Sequence, residues 1–272
     1  MRRRGQQYYR REYFRRWRVD GAVAEALDAG MAGRHDAFML SPVLFLPGLL
    51  CDATLWRSQI DGLADIIAPS IADLTLDSSV EDMAARALAA APPVFSLVAL
   101  SMGGYVAFEI MRQAPERVSR LALLATGAAA DDEQRTAARR RGVESLKLGR
   151  FMGVTVRMLP QLIHPSRVES ELGETVMAMA QRVGGEAFLR QQEAIANRPD
   201  SRPTLHDITV PVMVCVGDSD VLTPLPASRE IHAGIAGSSL HIFKDCGHLP
   251  AMERPDEVNA LLRAWLRVEM PR

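Results

Sequence analysis

Three short stretches hold side chains that could do chemistry together: Ser101 in "VALSMGGYVAFE" (98–109), two aspartates in "CVGDSDVLTP" (215–224), and His248 in "KDCGHLP" (244–250). A serine hydroxyl attacks a carbonyl carbon when a base takes its proton, and a histidine acts as that base when an acid holds its tautomer. Serine, aspartate, histidine is one of the chain orders in which such a set occurs. Attack on an acyl carbon also leaves an oxyanion, which needs backbone donors. The N–H of Met102, at the start of a helical pattern, is one candidate. The glycine turn in "FLPGLLCD" (45–52) offers the N–H of Leu49 as the second.

Ser101 lies between a run of β-formers and a run of helix-formers, and three uses compete for it. A phosphate cradle needs GxxxxGK[ST] and a dinucleotide site needs GxGxxG; neither spacing occurs here. A helix N-cap explains a serine before a helix but not the small residues on both sides of it. A nucleophile elbow explains both. At the apex of a strained strand-to-helix turn, the residues two before and two after must be small enough for strand and helix to pass. Ala99 and Gly103 are those residues, Gly104 eases the contact further, and Ala99 stands where the strict GxSxG motif has its first glycine.

Of six histidines, His35 lies in an N-terminal arm, His164 and His206 flank a helical stretch, and His232 and His241 fall inside a helical and a strand pattern. His248 alone follows a strand-like run within a turn, where Gly247 would supply the flexibility to point the ring at the sheet edge. Asp218 and Asp220 both lie just past a strand on that same edge, and the residues alone leave either open as the acid.

These side chains need a scaffold that brings strand ends together. Apolar runs at 43–46, 94–100, 119–125 and 210–216, with a weaker one at 239–243, read as buried strands. Helical patterns at 54–64, 79–90, 102–113, 227–236 and 255–268 lie between or after them; Ser79 with Asp82 opens one, and Pro255 suits a first helical position. The alternation predicts an α/β fold with a doubly wound, mostly parallel sheet. Residues 131–205 break the pattern, being polar and helical with no β-run, and too long for a loop. They predict a helical cap inserted into a core of residues 39–130 and 206–272.

With 48% hydrophobic residues the chain can support a core. Its formal charge of -1 hides an asymmetry: residues 1–18 carry eight arginines against Glu12, while the remainder is acidic. Such a body has no general attraction for nucleic acid. Only the arm, with Tyr8, Tyr9, Tyr13, Phe14 and Trp17 among its arginines, offers a surface for nucleic acid or an anionic membrane, and neither partner is expected. Cys51, Cys215 and Cys246 are odd in number and widely spaced, which argues against a disulfide framework and a structural zinc site. No apolar run suits a membrane span, no apolar segment follows the cationic start as in a secretory signal, and a cytoplasmic protein is expected.

Taken jointly, "LPGLL", "LSMGGYVA", "VGDSDVLTP" and "GHLPAMERP" resemble the α/β-hydrolase superfamily across residues 40–270. The resemblance implies that fold with a helical lid, Ser101 as nucleophile and His248 as base. The family's Gly-x-x-Asp-x-x-x-Pro pattern falls on Gly217, Asp220 and Pro224, which prefers Asp220 to Asp218 as the acid. Pro47-Gly48 stands where the family usually has His-Gly. A serine at the elbow, rather than the aspartate of epoxide hydrolases and dehalogenases, points to acyl transfer to water. The layout is similar to small carboxylesterases and enol-lactone hydrolases, and menaquinone-pathway lyases share it. The implied reaction is hydrolysis of a small ester, lactone or thioester through an acyl-enzyme, with no metal or organic cofactor. Two other uses of the scaffold are a carbon–carbon bond hydrolase or lyase, with Arg139, Arg140, Arg141, Arg190 or Arg198 holding a carboxylate, and a non-catalytic receptor.

Residues 1–38 have two readings: a weakly structured arm, or upstream sequence read from an early start codon, with Met31 and Met39 as alternative starts. On either, their scattered apolar positions bury too little to offset an ordering cost of roughly 1–2 kcal/mol per residue. A chain beginning at Met39 is therefore expected to fold, to melt within a few degrees of the full chain, and to hydrolyse a short-chain ester at an unchanged kcat. An insoluble product or a tenfold loss in kcat/KM would show that the arm is part of the working structure.

Overall fold

Runs of Val, Leu, Ile, Phe and Ala form six strands in a computed structural model that describes residues 40–149 and 151–267. The arm and the readings made on it lie outside the described residues. The strands are β1 (Ser41–Leu46), β2 (Ile67–Ile71), β3 (Phe95–Leu100), β4 (Val118–Leu124), β5 (Val212–Gly217) and β6 (Ser239–Phe243). They pair in the order β2-β1-β3-β4-β5-β6, every pair parallel. Successive side chains of a strand face opposite ways. Leu44, Leu46, Leu97, Ala99, Leu121, Leu123 and Val214 therefore enter one apolar cluster, and Val43, Phe45, Val98, Leu100, Ala122, Leu124 and Cys215 enter the other.

Among the described residues nine α-helices accompany the sheet: α1 (Arg57–Gly62), α2 (Val80–Ala90), α3 (Met102–Gln113), α4 (Glu133–Leu148), α5 (Leu159–Leu162), α6 (Glu171–Ala196), α7 (Leu225–Gly234), α8 (Pro250–Glu253) and α9 (Pro255–Arg267). Met83, Ala84 and Ala87 of α2, Val106 and Phe108 of α3, and Ile231 of α7 cover the first cluster. Leu55 and Trp56, leading into α1, and Val258, Leu262 and Trp265 of α9 cover the second. The sheet is thus doubly wound, as the alternating pattern predicts. Ser79 caps α2, accepting from the Asp82 N–H at 3.0 Å and donating to the Asp82 carboxylate at 2.7 Å.

The sequence patterns miss β2, whose "IAPSI" carries a proline that argues against a strand. Its place at the sheet edge explains it. Ala72 donates to the Phe45 carbonyl, so by the two-residue period the even-numbered positions of β2 face β1 and Pro69 faces away from the ladder.

Between β4 and β5 lie α4, α5 and α6, with no strand among the described residues. Asp131, just before α4, ties this segment together. Its covered carboxylate accepts from Arg198 at 2.8 Å and pairs with Arg139, while Arg198 also donates to the Ala129 carbonyl and lies 4.1 Å from the Tyr105 ring centre. Burial alone would raise the Asp131 pKa, but hydrogen bonds from Arg139 and Arg198 hold it below the usual carboxylate range. Asp131→Ala is expected to lower stability by about 3 kcal/mol in urea unfolding, since it strands buried guanidinium charge. Because the folded-state pKa is the depressed one, the wild-type pair stabilises above the unfolded value of about 3.9 and should fade as pH falls below it. Unfolding at pH 3 should then show a smaller gap between wild type and Asp131→Ala than at pH 7.

Candidate active site

β3 ends at Leu100 and α3 begins at Met102, so Ser101 is the whole connection. Its backbone takes φ 54° and ψ -116°, a region that costs a residue with a Cβ on the order of 1–3 kcal/mol. Surrounding bonds hold it there. The Ser101 N–H donates to the Leu124 carbonyl at 3.0 Å, and its carbonyl accepts from the Gly104 N–H and the Thr126 hydroxyl, each at 2.8 Å. Its side chain makes no cap bond to α3, which excludes the N-cap use; Oγ lies instead 2.8 Å from His248 Nε2. Gly103 is required by packing, since a Cβ there would lie 2.4 Å from the Leu46 carbonyl oxygen.

His248 rides on the loop after β6 and is buried, with Nδ1 2.9 Å from Asp220 Oδ2. Asp220 Oδ1 accepts the N–H groups of Leu222 and Thr223 at 2.9 and 3.0 Å, and Oδ2 accepts the Thr223 hydroxyl at 2.8 Å. Burial pushes the Asp220 pKa up, but the charge and hydrogen bond of His248 and the bonds from Thr223 outweigh it and hold the carboxyl below its usual range. Asp218 is exposed and faces elsewhere. It accepts the N–H groups of Asp245 at 3.0 Å and Cys246 at 3.2 Å, so it braces the loop that carries His248. The residues alone leave these two aspartates open and the family resemblance prefers Asp220; in the structure they do different things.

Gly247 differs from its sequence reading. It does not adopt a left-handed conformation, and a Cβ there would lie 2.7 Å from the Ile163 carbonyl carbon, so the loop needs glycine for room rather than flexibility. Two partners that sequence reasoning missed hold the loop and the acid. Buried Glu253 accepts the N–H groups of Gly247 and Leu249 on either side of His248, at 2.9 and 3.2 Å, and that of His164 at 2.8 Å. Thr223 is the other, and its spacing of three from Asp220, as in a side-chain-to-backbone turn, is the signal that could have found it.

The turn with Leu49 sits against the serine: a Cβ on Gly48 would lie 3.4 Å from Ser101 Cβ. Met102 is the first residue of α3, so its N–H has no intrahelical acceptor. Among the described residues, neither that N–H nor the Leu49 N–H donates to another protein group. Of the arginines considered for a substrate carboxylate, Arg139 and Arg198 pair with Asp131, and Arg190 donates to the Thr75 carbonyl at 2.8 Å. Arg140 and Arg141 are exposed on α4. No group of three or more His, Cys, Asp or Glu side chains among the described residues is disposed to hold a metal ion, and no described helix is long and apolar enough to cross a membrane.

A profile of the Alpha/beta hydrolase family matches residues 43–261, and the chain belongs to that family. Among its relatives is a 2-hydroxy-6-oxononadienedioate/2-hydroxy-6-oxononatrienedioate hydrolase of Klebsiella pneumoniae, 30% identical over 179 residues, 61% of this chain and 59% of that protein. The match thus spans about three fifths of that relative's length. Similar solved structures include a thermophilic esterase from Thermogutta terrifontis with malate bound (TM-score 0.76, 29% identity, 84% of this chain and 89% of that one). The enol-lactonase of Burkholderia xenovorans LB400 shares the fold (TM-score 0.69, 22% identity, 86% and 93%).

Gly103→Ala should cost on the order of 2–3 kcal/mol by overpacking and lower the melting temperature by about 5–10 °C. Gly142→Ala, with nothing within 4 Å of the added Cβ, serves as its control and should leave the melting temperature unchanged or raised.

Proposed function

We propose that the protein hydrolyses a carboxylic ester, lactone or thioester through an acyl-enzyme on Ser101. The observation that carries the proposal is the buried relay from Ser101 Oγ to His248 Nε2 (2.8 Å) and from His248 Nδ1 to Asp220 Oδ2 (2.9 Å), beside two N–H groups that have no partner among the described residues. With Asp220 ionised, His248 keeps its proton on Nδ1 and leaves Nε2 free to accept one. Ser101 Oγ attacks the acyl carbon as its proton passes to Nε2, and the N–H groups of Leu49 and Met102 receive the oxyanion. The tetrahedral species collapses, the bond to the leaving group breaks, and Nε2–H protonates that group as it departs. A water then gives its proton to Nε2 and its oxygen to the acyl carbon. Collapse returns the proton to Ser101 and releases the acid. The likeness to the Thermogutta terrifontis esterase supports this reading, and the helices between β4 and β5 serve as a cap over the strand ends.

A second reading, hydrolysis of a carbon–carbon bond, is favoured by the relative named for a dioate substrate. Such a substrate needs cations for its carboxylates; Arg139, Arg190 and Arg198 are already engaged by protein acceptors, which leaves exposed Arg140 and Arg141 as the candidates for that reading. Free, buried Cys51, Cys215 and Cys246 suit the reducing cytoplasm proposed as its location.

The test is turnover of p-nitrophenyl esters, lactones and acyl thioesters alongside a 2-hydroxy-6-oxo-dienoate. The ester or lactone panel should turn over with the higher kcat/KM; a preference for the dienoate favours the second reading. Ser101→Ala and His248→Ala should each lose on the order of 10⁶ in kcat and the double variant scarcely more, while Asp220→Asn should lose less, on the order of 10⁴. More than a few per cent of wild-type activity in Ser101→Ala would overturn the assignment of the nucleophile.

A further inference from the structure

Residues 48–51 form a tight turn closed by the Cys51 N–H donating to the Gly48 carbonyl at 3.1 Å. Its third residue, Leu50, has φ 58°, while Leu49 keeps a negative φ. That combination belongs to a type II turn, whose third position favours glycine or asparagine. A leucine there is strained. The relaxed alternative is a type I turn, which differs by turning over the peptide between the second and third residues and swings ψ of the second by roughly 150°. Here the second residue is Leu49, and the peptide that must not turn over is the one carrying the Leu50 N–H.

That N–H is held from outside the turn. Gln191 of α6 is fully buried; its Oε1 accepts from the Leu50 N–H at 3.1 Å, and its Nε2 donates to the Leu74 carbonyl at 3.0 Å. Both ends of one amide are thus used, so it has a single orientation. The same helix grips the next residues. Arg182 donates to Asp52 at 2.8 Å and to the Thr54 hydroxyl at 2.7 Å, and Asp52 in turn caps the short helix at 53–56. Between Arg182 and Gln191 the helix breaks at Gly184, with φ 81° and ψ 172°. The break gives the two halves separate courses, one delivering Arg182 to residues 52–54 and the other Gln191 to Leu50.

We infer that Gln191 is a positioning residue for the reaction: its amide ties the Leu50 N–H to α6 and to the Leu74 carbonyl, anchors the strained turn at 48–51 as a unit, and so keeps the Leu49 N–H of that turn beside Ser101. This rests on the acyl-enzyme reading, and it makes the segment between β4 and β5 part of the machinery that stabilises charge. Gln191 does not touch the reacting atoms; it acts through Leu49.

Gln191→Met keeps the length of the side chain and removes both hydrogen bonds. With p-nitrophenyl acetate, and with rates expressed per serine labelled to completion by a fluorophosphonate, this variant should lose about ten- to a hundredfold in kcat, with KM within about twofold. Gln191→Glu, which keeps an acceptor for the Leu50 N–H, should recover most of that loss. Should the Met variant not fold, Gln191→Asn, one methylene too short to span both partners, should show the same loss. A kcat within twofold of wild type, or a loss lying wholly in KM, while Ser101→Ala is inactive, overturns the role of Gln191 and leaves the acyl-enzyme reading standing. An active Ser101→Ala overturns both.

Discussion

Ser101 occupies a backbone conformation that it would not keep by itself, and much of its neighbourhood serves to leave it no alternative. Its N–H continues the ladder between β3 and β4, its carbonyl is held from two directions, and α3 starts at the next residue. Relaxing the strain would break a ladder bond or drive α3 into the carbonyls of Leu46 and Pro47, where Gly103 already makes the closest approach that packing allows. Each option costs as much as the strain or more. The hydroxyl therefore projects from the end of β3 instead of folding back to cap α3.

The parallel sheet does the rest by register. Leu46 lies beside Ala99, Leu100 beside Leu124, Leu124 beside Cys215 and Gly217 beside Phe243, so the turns after β1, β3, β5 and β6 leave the sheet at one edge. Leu49, Ser101, Asp220 and His248 come from those four turns. The segment between β4 and β5 braces them on both flanks. On one side the Leu162 carbonyl accepts the His248 N–H, and Glu253 links His164 to the residues around His248. On the other, α6 holds residues 50–54. A buried carboxylate such as Asp220 stays ionised only if its lone pairs are filled, and the turn at 220–223 fills them with two N–H groups and a hydroxyl.

What the sequence reveals follows from how local each signal is. The core strands announce themselves because strands buried on both faces are continuous apolar runs, whereas β2 hides behind Pro69, tolerated only because one side of an edge strand has no ladder partner. Ser101, Asp220 and His248 are legible because each stands in a short stretch whose own composition is peculiar: small residues around a serine, or acids and a glycine just past a strand. Thr223, Glu253 and Gln191 are ordinary residues in ordinary surroundings. Gln191 meets Leu50 across 141 positions of sequence, and nothing in the helical pattern around it marks it as more than one polar position among many. Gly247 shows the opposite error: it stands out in the sequence, but what it answers to is the distant backbone of Ile163 and His164.

The role of Ser101 as the attacking atom is tested most directly by trapping the covalent intermediate. An activated aryl carbamate transfers its carbamoyl group to a nucleophilic serine and releases the phenol, and the serine carbamate hydrolyses slowly enough to be weighed. Intact-mass measurement followed by peptide mapping should find one carbamoyl group per chain, on Ser101, formed in step with the loss of activity. A carbamoyl group on another side chain, or inactivation with Ser101 unmodified, would contradict it.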